Sequence, residues 1–340
     1  MSTTEKVTKH ADEVFSPCNR NTIKCPRPGV YHDFTMEDYH KIDAVNASTL
    51  KKFMVSGKHG KMYLEGKQDP PSNAMLFGTA AHSRIFEPDD YAERAIEGLH
   101  KSDKGKPLAD GCAWSKHKAV QDENPDNIIL HAGWSRRIEA IAEQVEGNPE
   151  TLALFRHPDS LREVTLIWEE VVEFGDTKLI VPFKARLDMF NKAAQVIPDL
   201  KTTTSAEPPL FRKKSYDLGY HISGAIYVRG CLQLGLMARD EHGRIPAGAY
   251  LILAAETSAP HITSPYAMQI EAMEQGFEDA WQIGLSRLVK YRTLGVADGP
   301  EYKMGEDEYG DPITIGSDKI TDLDLPAWAQ RETAGDTIKL

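Results

Sequence analysis

The chain has 340 residues, 41% apolar and 27% charged, with a formal net charge of −11. That composition is ordinary for a globular protein and long enough for one large domain or two modest ones. There is no run of about 18 apolar residues, so no membrane span is expected, and the acidic balance argues against nonspecific binding to nucleic acid, where a basic footprint is expected.

Met1–Lys6 lacks the apolar core of a secretory signal. The four cysteines, Cys18, Cys25, Cys112 and Cys231, are irregularly spaced. This fits a reduced, cytoplasmic protein with free thiols better than a disulfide scaffold. A zinc pair from Cys18 and Cys25 is the weaker reading, because six residues intervene and no second close pair exists.

Residues 1–26 are polar and aperiodic and are expected to form a loose arm. Thr35 is expected to cap a helix, with Asp38 three residues on. Ser48 is expected to cap the next helix, running from Thr49 to about Glu65, with Lys51, Lys52, Lys58 and Lys61 on its solvated sides. A phosphate backbone is the alternative partner for those lysines.

The spacing predicts a further helix over Ala74–Glu87, stopped by Pro88. On it His82 shares a face with Met75, Gly78, Thr79, Ile85 and Phe86, so it points inward, and this helix alone favours a hydrogen-bonded core histidine. Gly78 in mid-helix costs about 1 kcal/mol relative to alanine, which implies a close neighbour.

Residues 98–112 read as an exposed loop, Ile128–Leu130 as a short strand, and Trp114–Gln121, Trp134–Val145 and Pro149–Phe155 as helices. From residue 164 the pattern turns β-rich, and 164–201 reads as a three-stranded meander with a turn at Gly175-Asp176. One long helix is expected over 209–237, a strand over Tyr250–Glu256, a short one at Tyr266–Met268, and a final helix over Ile270–Leu294. The chain is irregular and acidic from Gly295 onward. Together these elements form an α/β arrangement, a mixed central sheet flanked by helices with a helical N-terminal half. The expected division is an arm (1–26), one domain (27–305) and an irregular acidic tail (306–340).

Strand alternation concentrates charge in one place. In Leu179–Phe190 the odd positions are all apolar, and the even face holds Lys184, Arg186 and Asp188. On the next strand Asp199 and Lys201 share a face opposite Val196, Pro198 and Leu200. Unpaired buried charge is expensive, so this set needs partners. One solution is an Asp–Lys ion pair at a strand end. The other is a divalent-metal site, in which two carboxylates suit Mg²⁺ or Mn²⁺. Such a metal lowers the pKa of a bound water, and the lysine orients or deprotonates that water or stabilises charge on a phosphate. The residues alone leave both solutions open.

Asp188 followed by Asp199-Leu200-Lys201 resembles the PD-(D/E)XK nuclease core. Gly78-Thr79-Ala80-Ala81-His82 looks like the Gly-Thr-x-x-His helix of its RecB-like and RecE-like branch, and Tyr220-His221…Tyr227 looks like that branch's helix motif. Gly29-Val30-Tyr31 and Ser48-Thr49-Leu50-Lys51 resemble the start of the RecE-type (exonuclease VIII) domain.

The resemblance covers roughly residues 28–305. It implies His82, Asp188, Asp199 and the carbonyl of Leu200 as ligands of Mg²⁺, with Mn²⁺ as substitute, and Lys201 as the catalytic lysine. Arg186, Thr202, Thr203, Tyr220, His221 and Tyr227 become DNA-contact candidates, with helix packing the alternative for the two tyrosines. Glu163 is a candidate to join the site, and Glu256 reads as structural.

The implied activity is exonucleolytic digestion of double-stranded DNA ends. The implied partners are a single-strand annealing protein and further copies of the chain in a ring, often of phage or prophage origin. There is one departure: Ser223 stands where the family's helix motif usually has glutamine. Together with the net charge of −11 it favours the alternative of a catalytically inactive DNA-end or protein-binding module. An iron–sulfur nuclease is disfavoured, because four clustered cysteines are lacking.

Overall fold

The structure is a computed structural model describing residues 7–15, 23–101, 103–297, 303–306 and 312–314. Its centre is set by strand alternation. Val7–His10 (β1), Gly29–Tyr31 (β2), Leu161–Phe174 (β3) and Thr177–Phe190 (β4) form one sheet in the order β1-β4-β3-β2. Ile197–Thr203 (β5), Tyr250–Glu256 (β6) and Thr263–Ala267 (β7) form a second, ordered β7-β6-β5. β3 and β4 are antiparallel across a two-residue turn, where Gly175 takes φ +57° at the first central position, as a type II′ hairpin turn demands. β5 runs parallel to β6, and β7 antiparallel to it. This is the mixed α/β sheet expected from the sequence.

The helices that matter for the site are Met36–Lys41 (α1), Ala47–Val55 (α2), Gly57–Leu64 (α3), Asn73–Phe86 (α4), Trp134–Glu146 (α5), Pro208–Asp217 (α6), Tyr220–Gln233 (α7) and Ile270–Asp279 (α8). The odd face of β4, from Leu179 to Leu187, is fully buried against α2 and α7. Met189, Leu200, Leu253 and Ala255 belong to a second core, with Phe77, Ala81 and Ile85 of α4 and Ile138 of α5. β5 therefore lies between two cores, with Ile197 packed in one and Leu200 in the other. Its polar residues emerge where α4 crosses the end of β4.

Several expectations change. Within the expected arm, β1 pairs in parallel with the start of β4, because that edge would otherwise leave backbone groups unpaired. Cys18 and most of the acidic tail lie outside the described residues. The expected helix from Thr49 begins at Ala47, where Asn46 accepts the Thr49 N–H at 2.8 Å, and it breaks at Ser56, whose side chain caps α3 instead. Pro88 stops α4 and also starts the short helix Pro88–Arg94. The expected loop over 98–112 contains the two short strands Leu99–His100 and Lys106–Pro107 and the fully buried Leu108.

The meander is incomplete, since β5 takes β6 as its ladder partner, and the connection from β4 is closed by the isolated Asn191–Val196 bridge. The helix expected over 209–237 is two helices. Gly219, at φ +63°, ends α6 and starts α7, and a Cβ there would meet the Lys51 stem at 2.7 Å. The final helix includes a π-helical turn over Ala280–Leu285. In the separate unit Gly299–Leu340, Lys303–Glu306 pairs antiparallel with Pro312–Thr314. Among the described residues no helix is long and apolar enough to cross a membrane.

Away from the central sheet, His117 and His131 are buried with ring nitrogens 3.0 Å apart. Burial, and for His131 also its neighbour His117, pushes both below the ordinary histidine value of 6.5, His131 to about 4. Between about pH 6.5 and 4 the unfolded chain therefore takes up protons that the folded chain refuses. Stability should fall as pH drops through that window. Urea midpoints across the window should decline for the native protein and decline less for His131→Phe.

Candidate metal centre

His82 reaches the site because α4 lies close on β5. Ser72 starts the helix by accepting the Met75 N–H at 3.3 Å. Ala81 and Ile85 hold the helix against the second core. The close neighbour predicted for Gly78 is Thr202, since a Cβ at Gly78 would lie 3.2 Å from its Oγ1. His82 then projects between the C-terminal end of β4 and the middle of β5.

There the imidazole Nδ1 lies 3.0 Å from Asp188 Oδ2, and Nε2 lies 2.5 Å from the carbonyl oxygen of Leu200. Lys201 donates to Asp199 Oδ1 at 2.6 Å, and the Tyr250 hydroxyl donates to Asp199 Oδ2 at 2.5 Å. Ligand atoms of His82, Asp188 and Asp199 all lie within 4.8 Å of one another.

Charge in this cluster is balanced internally. Burial alone would lower the His82 pKa, but the Asp188 carboxylate outweighs it and the net shift is upward. Both ring nitrogens face acceptors, a placement that favours the protonated ring. Burial would likewise raise Asp188 and lower Lys201. Their opposite charges prevail, so Asp188 stays ionised and Lys201 stays protonated. The ion-pair solution and the metal solution thus use the same atoms. Two carboxylates, one imidazole and one carbonyl form a donor set that suits a hard divalent ion. The residues fit such an ion once His82 releases its proton, so affinity must rise with pH.

Among the other candidates, Lys201 lies 5.5 Å from the ring of Tyr220, which borders the site directly. Arg186 does not face outward. It donates to Glu163 at 3.0 Å and to the carbonyl of Phe34 at 2.6 Å, and binding DNA would break those bonds. Thr203 is buried and accepts from Lys214 at 3.1 Å, and Thr202 faces Gly78. His221 is buried, and Tyr227 packs edge-on against Tyr250, which is the helix-packing alternative. Glu163 lies opposite Asp188 in the β3–β4 register, between the pairs Arg162–Met189 and Val164–Leu187, at φ +48°. Burial and the nearby Asp188 lift its carboxyl to about 7. Glu256 is structural, accepting the Ala206 N–H at 2.8 Å.

Two residues escaped sequence reasoning. Tyr250 reads as an apolar strand residue, and nothing local marks its hydroxyl. Lys51, expected on a solvated face, instead turns inward and donates to Ser223 Oγ at 3.0 Å and to the Leu218 carbonyl at 3.3 Å. Burial, and then the Lys201 charge, bring it down to about 8. Its place in the resemblance, Ser48-Thr49-Leu50-Lys51, was the only signal available.

Tyr250→Phe removes one hydroxyl and nothing else from the packing. Asp199 then keeps Lys201 as its hydrogen-bond partner, and Mn²⁺ affinity measured by calorimetry should weaken by about 10–100-fold, the usual effect of deleting a hydrogen bond to a metal ligand. An unchanged Kd would show that Lys201 alone orients Asp199.

Residues 46–294, well over half of the chain, match the family described as a PDDEXK-like domain of unknown function (DUF3799). No curated protein matches the sequence. Among solved structures, a candidate exonuclease from Eubacterium rectale aligns at 14% identity with a TM-score of 0.48, over 78% of this chain and 89% of that one. A protein designated SSO0001 aligns at 12% identity with a TM-score of 0.22, over 68% of this chain and 83% of that one.

Proposed function

This chain belongs to the PDDEXK-like DUF3799 family, and from that premise we propose that it is a Mg²⁺-dependent exodeoxyribonuclease of the RecE type, in the RecB-like branch. Its substrate is the double-stranded DNA end, and Mn²⁺ substitutes for Mg²⁺. The observation that carries the reading is the convergence of His82, Asp188, Asp199 and the Leu200 carbonyl beside Lys201. These residues come from three separate elements.

A divalent ion held there supplies charge neutralisation at the scissile phosphate and a more acidic water. The chain's own residues do the rest. Asp188 and Asp199 hold the ion, and Tyr250 and Lys201 fix the rotamer of Asp199. Lys201 keeps its proton in the metal-free site, so it serves as a preorganised donor to charge developing on the phosphate. Single strands left by digestion pass to an annealing protein, and the working form is a ring-like homo-oligomer in the cytoplasm.

The test is purified protein with Mg²⁺ and matched linear and closed circular duplexes. Nucleotide release from the linear substrate alone is expected. Cutting of the circle would make it an endonuclease, and release from neither would sink the reading. One observation favours the second reading, a DNA-end or protein-binding module without turnover: Ser223, in the place of the family's glutamine, is tied to Lys51 within the protein. Calorimetry with Mn²⁺ separates the two, because a module without turnover has no need of the ion.

A further inference from the structure

α6 leaves β5 directly after the lysine strand and carries an aromatic ring that the fold does not use. Tyr216 is 72% exposed, an unusual position for a large ring. It is not a loose side chain. Its ring lies parallel to that of His221, with an interplanar angle of 5° and centroids 5.3 Å apart. His221 is backed in turn by α8, where a Cβ on Gly276 would come within 2.7 Å of its ring. The stack therefore runs from Gly276 through His221 to Tyr216, with the outer face of Tyr216 open to solvent.

Two further features give the ring a direction and a charge setting. Lys214 of α6 donates to Thr203 Oγ1 at 3.1 Å, which anchors the helix two residues beyond Lys201. Tyr220, whose ring lies 5.5 Å from the Lys201 ammonium, immediately precedes His221. The platform is thus one side chain removed from the site. On the preceding turn of α6, at the i−4 and i−3 positions from Tyr216, Arg212 and Lys213 are exposed. Lys213 is held by Asp217 at 2.6 Å, which leaves the exposed Arg212 as the cation beside the ring. A rigid exposed ring with a cation one turn away matches the pairing of base stacking with phosphate contact found in single-strand recognition.

We infer that Tyr216, backed by His221, is a stacking platform for a nucleobase of a DNA strand leading into the Asp199–Lys201 site. The inference rests on the nuclease reading for the identity of the ligand, but not on turnover.

The experiment is fluorescence anisotropy of a labelled ten-nucleotide oligothymidylate with the full chain in EDTA, so that nothing is hydrolysed. Tyr216→Ala should weaken binding by about 5- to 150-fold, the range for loss of one base–aromatic stack. Tyr216→Phe should bind within about twofold of the native protein, and Tyr216→Leu should behave like Tyr216→Ala, because stacking needs a planar ring. The exposed position makes all three foldable, which circular dichroism verifies.

Equal binding by native protein and Tyr216→Ala would overturn the platform, as would full binding by Tyr216→Leu or no binding by the native protein. A shift in sedimentation of Tyr216→Ala with unchanged oligonucleotide affinity would also overturn it, and would assign the face to a contact between copies of the chain. Ring-dependent binding without hydrolysis in any divalent metal would leave the platform standing and remove the nuclease reading. Hydrolysis with Tyr216-independent binding would do the reverse.

Discussion

Asp199→Asn is expected to lower Mg²⁺-dependent nucleotide release from linear duplex by at least about 10²–10³-fold, the scale on which a preorganised electrostatic contact acts. The substitution changes little volume but reverses what one arm of the side chain offers. Asp199 is only 4% exposed and both its oxygens accept, from Lys201 at 2.6 Å and from Tyr250 at 2.5 Å. Asparagine turns an amide N–H₂ toward one of these donors and removes the charge that holds the Lys201 ammonium. A carboxylate ligand and the lysine's anchor are lost together, so Lys201→Met should add little to the loss when combined with it. Activity within tenfold of native would show that Asp199 is not part of the chemistry. Near-ultraviolet circular dichroism separates that outcome from misfolding.

Phe183→Ala is the matching prediction for the scaffold. Phe183 is 1% exposed in the middle of β4, with the Trp168 ring at 5.5 Å and the Trp281 ring at 6.1 Å. Truncation leaves a cavity between two large rings that cannot collapse onto each other. The free energy of unfolding should fall by about 3–5 kcal/mol, read as a lower urea midpoint with unchanged slope. Because Asp188 lies on the same strand, Mn²⁺ should recover part of that stability by binding only the folded chain. Failure of Mn²⁺ to raise the midpoint would count against the metal centre, whatever the size of the cavity effect.

A single substitution at Asp199 is predicted to act on several functions because the residues of the site hold one another. The cationic partners of the two aspartates, His82 and Lys201, lie within the site itself. Catalysis, ion affinity and local packing there should respond together, whereas Phe183 and the buried pair His117 and His131 should report on stability alone.

The legibility of this site in the sequence follows the range of each physical signal. Alternation with a period of two is local, and it places Asp188, Asp199 and Lys201 on their strand faces without reference to any other element. The 3.6-residue period does the same for His82 and for the small residue at Gly78 that lets α4 approach β5. Fold class follows from the order of such segments.

The sequence is silent where a partner is chosen across the fold. Tyr250 finds Asp199 across 51 residues, and Lys51 finds Ser223 across 172. Arg186, on the same face of β4 as Asp188, is drawn away by Glu163 and the Phe34 carbonyl, and His221 is covered by Tyr216. The break at Gly219 was read through, because α6 and α7 each carry a helical pattern, and the left-handed backbone at φ +63° and the close Lys51 stem are set by the packing of the two helices. The sequence by itself determined which side chains share a face of their own strand or helix, because that is a property of one local period. Only the tertiary structure decided which of them hold one another, because hydrogen bonds and ion pairs depend on distances that no local period encodes.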